Sequence, residues 1–137
     1  MTEPAPVRVR LDLAYDGTGF SGWARQRGLR TVQGVLEERL AELFASTGAT
    51  PAVTVAGRTD VGVHAIGQVA HVDLGGPELA VLDRVRGNAT TRGPDSLARR
   101  LNGIAGPVSD LVVRRSAVAP DGFDARFAAL WRRYEYR

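Results

Sequence analysis

The sequence has no cysteine and no lysine in its 137 residues. The absence of cysteine excludes a disulfide scaffold, a thiolate zinc site and a cysteine nucleophile. No apolar run approaches the ~20 residues that a membrane-spanning helix requires, so we expect no membrane partner. The first six residues lack the basic and apolar regions of a signal peptide. We therefore expect a cytoplasmic protein in which residues 1–6 form a short disordered tail.

Arginine supplies all of the strongly basic side chains in the sequence. Eighteen arginines face 15 acidic residues, which gives a formal net charge of +3 and a pI near 10.1. Arginine binds phosphates through a planar fork and stacks on bases, so this composition suits a surface for nucleic acid. A coding bias toward arginine is the favoured explanation for most of this composition, although a net charge of +3 alone does not decide between the two. The hydrophobic fraction of 44% is that of an ordinary globular domain.

The apolar pattern predicts an α+β, ferredoxin-like fold of β-α-β-β-α-β order. Apolar and polar residues alternate over residues 7–15, which indicates a strand with one buried face. Apolar residues recur at helical spacing behind Thr31, a typical N-cap, and again behind Pro94-Asp95-Ser96. Further strands are predicted at 52–56, 68–74 and 111–119, with an extra C-terminal strand at 128–137. We expect a mainly antiparallel sheet with helices on one face.

Residues 75–93 are the best candidate for an irregular insertion. They are rich in glycine and include the polar run 88–92, although residues 79–85 leave room for a helical turn or two. We predict that this insertion is mobile.

The loop after the first strand reads Gly17-Thr18-Gly19-Phe20-Ser21-Gly22, formally the G-x-G-x-x-G of a dinucleotide site. Such a site needs the glycines to open a helix directly, whereas here a helix is predicted only from Val32. A flexible glycine-rich loop is the better interpretation. Phe20 and Trp23 in this region either approach a nucleic-acid backbone or are buried in the base of the loop, and the sequence favours neither.

The most unusual segment is Gly57-Arg58-Thr59-Asp60-Val61-Gly62-Val63-His64-Ala65. If residues 58–60 are extended, Arg58 and Asp60 share a face. Arg58 can then pair with Asp60 and lower its pKa, or hold a phosphate beside it. On spacing alone, a turn carboxylate is the favoured interpretation of Asp60. His64 and His71 lack the spacing of a metal site, so we expect no metal. We expect His64 to be a hydrogen-bonded loop residue and His71 to lie on the exposed or partly exposed face of its strand.

This segment, followed by Gly67-Gln68-Val69, resembles the signature of TruA-type tRNA pseudouridine synthases. Other matches follow the family's order along the chain, at residues 15–18 with 22–23, 31–33 with 36–37, 101–102, 123–127 and 133–136. Two positions depart from the family's pattern. Ala24 stands where glutamine is usual, and Asp124 stands where histidine is usual, which adds a second acid near the expected cleft.

The resemblance implies an enzyme that isomerises uridine to pseudouridine at positions 38–40 of the tRNA anticodon stem-loop, with Asp60 as its catalytic carboxylate and no metal or cofactor. That carboxylate either attacks C1′ or removes a ribose proton, and the sequence does not choose between them. The target base must be flipped out of the RNA. The resemblance implies that Arg58 fills the vacated space or pairs with Asp60, and that Tyr134 stacks on the uracil.

The resemblance implies a family about twice as long as this chain, whose second half, a similar fold that completes the cleft, we expect to be missing from this sequence. Residues 7–137 are therefore expected to be the N-terminal RNA-binding and catalytic half of an enzyme that is a homodimer at full length. The alternative is an inactive truncated fragment that acts only as an RNA-binding ferredoxin-like module. Candidate contacts to tRNA phosphates are Arg8, Arg10, Arg25, Arg27, Arg99, Arg100, Arg132 and Arg133.

Overall fold

The computed structural model describes residues 5–84, 92–106 and 108–127. The helices and strands of these residues are β1 (Val7–Tyr15), α1 (Val32–Leu43), β2 (Val53–Val55), β3 (Ala65–Leu74), α2 (Gly76–Asp83), α3 (Leu97–Ala105) and β4 (Leu111–Val118). None of these helices is both long enough and apolar enough to cross a membrane. The predicted strand at 128–137 and residues 1–4 of the predicted tail lie outside the described residues.

The strands form one antiparallel sheet in the order β2-β3-β1-β4. The central strand β1 pairs with both β3 and β4. Helix α1 connects β1 to β2 across the position of β3, while α2 and α3 connect β3 to β4 across β1. This is the strand order of a ferredoxin-like domain, so the predicted α+β fold is confirmed.

The alternation in β1 places its apolar side chains beneath the helices. Val9, Leu11 and Leu13 are fully buried and share one core with leucines of α1 and α3, among them Leu36 and Leu101. Burying each such side chain contributes about 1.5–3 kcal/mol, and this is what holds the helices on that face of the sheet.

Polar contacts fix where the two long helices begin and how they meet the sheet. Thr31 caps α1 as predicted, because its hydroxyl oxygen accepts a hydrogen bond from the N–H of Gly34 at 3.1 Å. On α3, the Asn102 side chain accepts from the N–H of Val113 at 2.9 Å and donates to its carbonyl oxygen at 2.8 Å. Asn102 therefore joins α3 to β4 through both backbone groups of one residue.

The opposite face of the sheet is partly covered by the segment that follows β4. The Nδ1 atom of His71 accepts a hydrogen bond from the N–H of Ala125 at 3.1 Å, and the Phe123 ring packs edge-on against the imidazole. His71 is only 4% exposed. The expectation that it lies on an exposed or partly exposed face is therefore wrong, because residues distant in sequence cover that face.

The candidate insertion at 75–93 contains a regular helix in its first half. Helix α2 begins at Gly76, and its residues Val81 and Leu82 are buried. The Glu78 carboxylate accepts a hydrogen bond from the N–H of Gly75, which stabilises the first turn. Residues 76–83 of the candidate insertion are therefore helical rather than irregular. Residues 85–91 lie outside the described residues, so the mobility of the insertion stays a prediction.

Candidate active site

The candidate catalytic loop, residues 57–64, joins β2 to β3. Arg58 and Asp60 are exposed, whereas Thr59 between them is partly buried. This alternation agrees with the expectation that the side chains of residues 58 and 60 share a face. No ion pair joins Arg58 to Asp60, however, since the described residues contain none that involves either side chain.

The loop is fastened to the sheet through Thr59. Its hydroxyl lies 2.8 Å from the phenol oxygen of Tyr15 on β1, and its carbonyl oxygen accepts from the N–H of Trp23 at 2.9 Å. The Gln68 side chain on β3 donates to the carbonyl oxygen of Gly57 at 2.7 Å. The residue before Asp60 is therefore bound on both its side chain and its backbone.

The glycines of the preceding loop, residues 16–23, allow it to pack directly against the catalytic loop. A Cβ atom on Gly17 would stand 2.0 Å from the carbonyl oxygen of Val63. Gly22 has φ of +81°, and a Cβ there would stand 2.9 Å from the carbonyl oxygen of Thr59. The G-x-G-x-x-G sequence is thus explained by contact between two loops and not by a dinucleotide site. The sequence predicts only a flexible glycine-rich loop here, and the contact is a finding of the structure.

The aromatic residues of loop 16–23 are part of the core. Phe20 and Trp23 are 2% and 1% exposed, and both rings pack against Tyr15 with centroids 6.1 and 6.3 Å away. The backbone of Phe20 also accepts a hydrogen bond from the N–H of Gly62 in the catalytic loop. Of the two interpretations that the sequence left open, burial in the base of the loop is the correct one.

His64, the last residue of the catalytic loop, contacts the loop of residues 16–23. Its Nδ1 atom lies 2.9 Å from the N–H nitrogen of Gly17 and 3.1 Å from a carboxylate oxygen of Asp16. When Nδ1 carries no proton it accepts from the N–H of Gly17, and when it carries one it donates to the carboxylate of Asp16. It makes only one of these two hydrogen bonds at a time. The Asp16 carboxylate also accepts from the backbone N–H of Thr18, and its contacts with Thr18 are the main cause of a pKa below the usual value.

Several of the arginines expected to contact phosphates are engaged within the chain. The ion pairs among them are Arg8 with Asp73, Arg10 with Asp12 and Arg25 with Glu37. Arg100 donates to the carbonyl oxygens of Val81 and Arg84. Arg27 and Arg99 are exposed, and Arg132 and Arg133 lie outside the described residues. Exposed ion pairs are weak, and of these three only Arg8 with Asp73 has both side chains more than a third exposed.

Asp124, which stands where the family has histidine, is bound by a neighbour. Its carboxylate pairs with the guanidinium of Arg126 at 2.6 Å, and that guanidinium holds the pKa of Asp124 well below its usual range. Asp124 is therefore not an unpaired second acid. Arg126 and Arg58 line one pocket of about 340 Å³ beside Trp23 and β2. Tyr134, the residue expected to stack on the uracil, lies outside the described residues.

Comparison with known proteins gives a consistent result for the whole chain. The chain is 60% identical to tRNA pseudouridine synthase A of Leifsonia xyli, over 100% of its own length and 48% of the relative's. It is 53% identical to the protein of the same name from Streptomyces griseus, over 98% of its length and 43% of the relative's. The protein of that name from Bifidobacterium longum is 51% identical, over 96% and 43%.

This chain is homologous to TruA-type tRNA pseudouridine synthases. The resemblance inferred from the G-R-T-D segment is therefore confirmed. The chain spans about half the length, or slightly less, of these curated synthases. No protein-family model matches it.

The structure adds residues whose roles the sequence does not reveal. Tyr15 and Gln68 lie in segments that match the synthases, but only the fold brings both beneath Thr59. Gly17 and Gly22 belonged to a motif explained only as a flexible loop. Among the described residues, no group of histidine, aspartate or glutamate side chains is arranged to hold a metal ion.

Proposed function

We propose that this chain is the catalytic half of a tRNA pseudouridine synthase, with Asp60 as the essential carboxylate. The observation that carries the proposal is an exposed aspartate on a loop fixed to the sheet at the residue before it, in a chain 60% identical to a named synthase. The substrate would be uridine at positions 38–40 of the anticodon stem-loop, as the family resemblance implies.

The reaction needs only one carboxylate and a means of holding the base. The N1–C1′ bond of uridine breaks, the uracil turns, and C5 bonds to C1′. The proton on C5 is then lost to water while N1 gains one, so no oxidant or co-reactant is required. The Asp60 carboxylate begins the sequence, either by attacking C1′ or by removing a ribose proton.

The neighbouring residues would serve to flip and hold the base. Arg58 is exposed and makes no ion pair with the described residues, so its guanidinium is available to occupy the space that the flipped uridine leaves. Tyr134 would stack on the uracil, a contact worth ~1–3 kcal/mol per base. Binding of tRNA would use arginine contacts to phosphates and the shape of the stem. A homodimer of the full-length protein stays a prediction.

The second candidate function is an RNA-binding module without activity. The observation that favours it is length, because the chain covers only 43–48% of its first relatives. If the remaining part of a synthase supplies the other wall of the cleft, Asp60 alone would bind and orient its substrate poorly.

One experiment separates these functions. The chain is incubated with unmodified tRNA carrying tritium at uracil C5, and tritium release to water is measured. Asp60→Asn should abolish release, whereas Glu42→Gln, an equivalent change on an exposed residue of α1, should not. Absence of release by the unaltered chain, with tRNA still bound and binding weakened steeply by salt, would favour the module. Release that survives Asp60→Asn would contradict the role of Asp60.

A further inference from the structure

A small buried polar cluster lies between the catalytic loop and the sheet. It consists of Tyr15 on β1, Gln68 on β3 and the hydroxyl of Thr59. Tyr15 and Gln68 are 5% and 7% exposed, so water does not compete strongly for their polar groups. Neither side chain is expected to touch the uridine, and the reaction described above assigns them no role.

The hydrogen bonds of the Gln68 amide in this cluster have a defined direction. The Oε1 atom of Gln68 accepts from the N–H of Val69 at 3.1 Å, which fixes the orientation of the amide. The amide nitrogen then donates to the carbonyl oxygen of Gly57 at 2.7 Å and, more weakly, to the phenol oxygen of Tyr15 at 3.4 Å. With that lone pair used, the Tyr15 hydroxyl can donate its proton to Thr59.

The bonds of this cluster hold the backbone before the proposed catalytic residue, and a turn of the loop itself holds the backbone after it. Thr59, directly before Asp60, is bound through its side chain by Tyr15 and through its carbonyl oxygen by the N–H of Trp23. Directly after, the carbonyl oxygen of Asp60 accepts from the N–H of Val63 at 3.2 Å and closes a turn. The carboxylate therefore projects from a segment whose orientation is set by the rigid centre of the sheet.

We propose that Tyr15 and Gln68 are positioning residues that orient the Asp60 carboxylate through Thr59 and Gly57. The proposal rests on the proposed function of Asp60. This positioning role differs from a packing role, in which contacts of the aromatic rings and of the glycines of loop 16–23 would hold the catalytic loop without the polar groups. The hydroxyl of Tyr15 is what separates the two, because Tyr15→Phe keeps the ring that packs on Phe20 and Trp23.

The activity test compares variants that remove single polar groups. Tyr15→Phe, Thr59→Val and Gln68→Met should each lower kcat about tenfold, because each removes hydrogen bonding that positions Asp60. The KM for tRNA should not change. Thr59→Ser, which keeps the hydroxyl, should restore most of the rate. The double variant Tyr15→Phe/Thr59→Val should be no slower than the slower single variant.

The matched control is Thr47→Val, which removes a hydroxyl that also makes two backbone hydrogen bonds, but beyond the end of α1. It should leave kcat unchanged even if the melting temperature falls. Unchanged kcat in Tyr15→Phe, or strictly additive losses in the double variant, would overturn the proposal.

Amide hydrogen exchange supplies a readout that does not depend on activity. In Tyr15→Phe the amides of Trp23, Gly62 and Val63 should exchange faster, while the amide of Leu11 at the centre of the sheet should not change. If the unaltered chain releases no tritium, the proposed function fails, but exchange still decides whether the cluster holds the loop. Unchanged exchange at all three loop amides would overturn the positioning role, whatever the activity of Asp60.

Discussion

Replacement of Gly17 by alanine tests whether contact between the two loops sets the position of Asp60. The Cβ of an alanine at residue 17 would stand 2.0 Å from the carbonyl oxygen and 2.5 Å from the carbonyl carbon of Val63, and real Cβ contacts are essentially never under 3.0 Å. Both clashing atoms are backbone atoms, so no side chain can turn aside. The two loops must therefore separate by at least about 1 Å.

The size of the expected effect follows from that displacement. A misplacement of ~1 Å at a reacting group can cost about a hundredfold in rate. Overpacking of this kind also destabilises a fold by about 1–3 kcal/mol. Because the φ of Gly17 is not positive, backbone strain adds nothing, and the whole effect is steric. We expect Gly17→Ala to lower kcat by about two orders of magnitude while the chain stays folded.

Tritium release from tRNA and urea denaturation measure the two effects separately. The control is Gly103→Ala on α3, where an added Cβ meets nothing within 4 Å. That change should leave kcat unaltered and raise stability by about 0.5–1 kcal/mol, since glycine is unfavourable inside a helix. If Gly17→Ala keeps both its rate and its stability, the reasoning from loop contact is refuted.

Two other substitutions test the fold that carries the site. Burial lowers the pKa of His71 below 6.5, with a smaller contribution from Arg8, so the unfolded chain binds more protons near that pH. Stability should therefore be complete above pH 6.5 and fall as the pH drops through the folded pKa of His71. His71→Asn, which can keep the acceptor for Ala125, should flatten this part of a stability-against-pH curve, and an equally steep curve would show that His71 is not its cause. Leu82→Ala should cost about 2–5 kcal/mol in urea denaturation, because Leu82 is fully buried; a loss below about 1 kcal/mol would show that α2 does not share the core.

The parts of the fold that were predictable from sequence are those decided by local pattern. The alternation in β1 and the cap at Thr31 act within a few residues, and the structure has both. Helix α2 was not foreseen as a regular helix because it opens with glycine and proline and buries only Val81 and Leu82. Its stability depends on packing against the rest of the core, which no local pattern records.

The candidate site likewise has features that the sequence predicts and features that only the folded chain shows. Asp60 could be identified from the G-R-T-D segment because the family resemblance lies in contiguous residues. The burial of His71 and the bond between Tyr15 and Thr59 join residues 54 and 44 positions apart in the chain. Composition and spacing contain no signal for such contacts, so only the folded chain reveals them.

The pairing of the acidic residues bears on the proposed role of Asp60 as the catalytic carboxylate. In a chain whose every cation is arginine, Asp12, Asp73, Asp110 and Asp124 each bind one. Asp60 makes no such pair with the described residues, although Arg58 is two positions away, and it shares this property with Asp83, Asp95 and Asp121.

A bound guanidinium would lower the pKa of a carboxylate and with it the reactivity of its oxygens as nucleophile or base. It would also cover the carboxylate oxygens that the proposed reaction brings to the ribose. The loop is instead held by neutral groups, the hydroxyls of Tyr15 and Thr59 and the amide of Gln68. Anchoring by neutral hydrogen bonds fixes the backbone of Asp60 and leaves its charge available for the substrate.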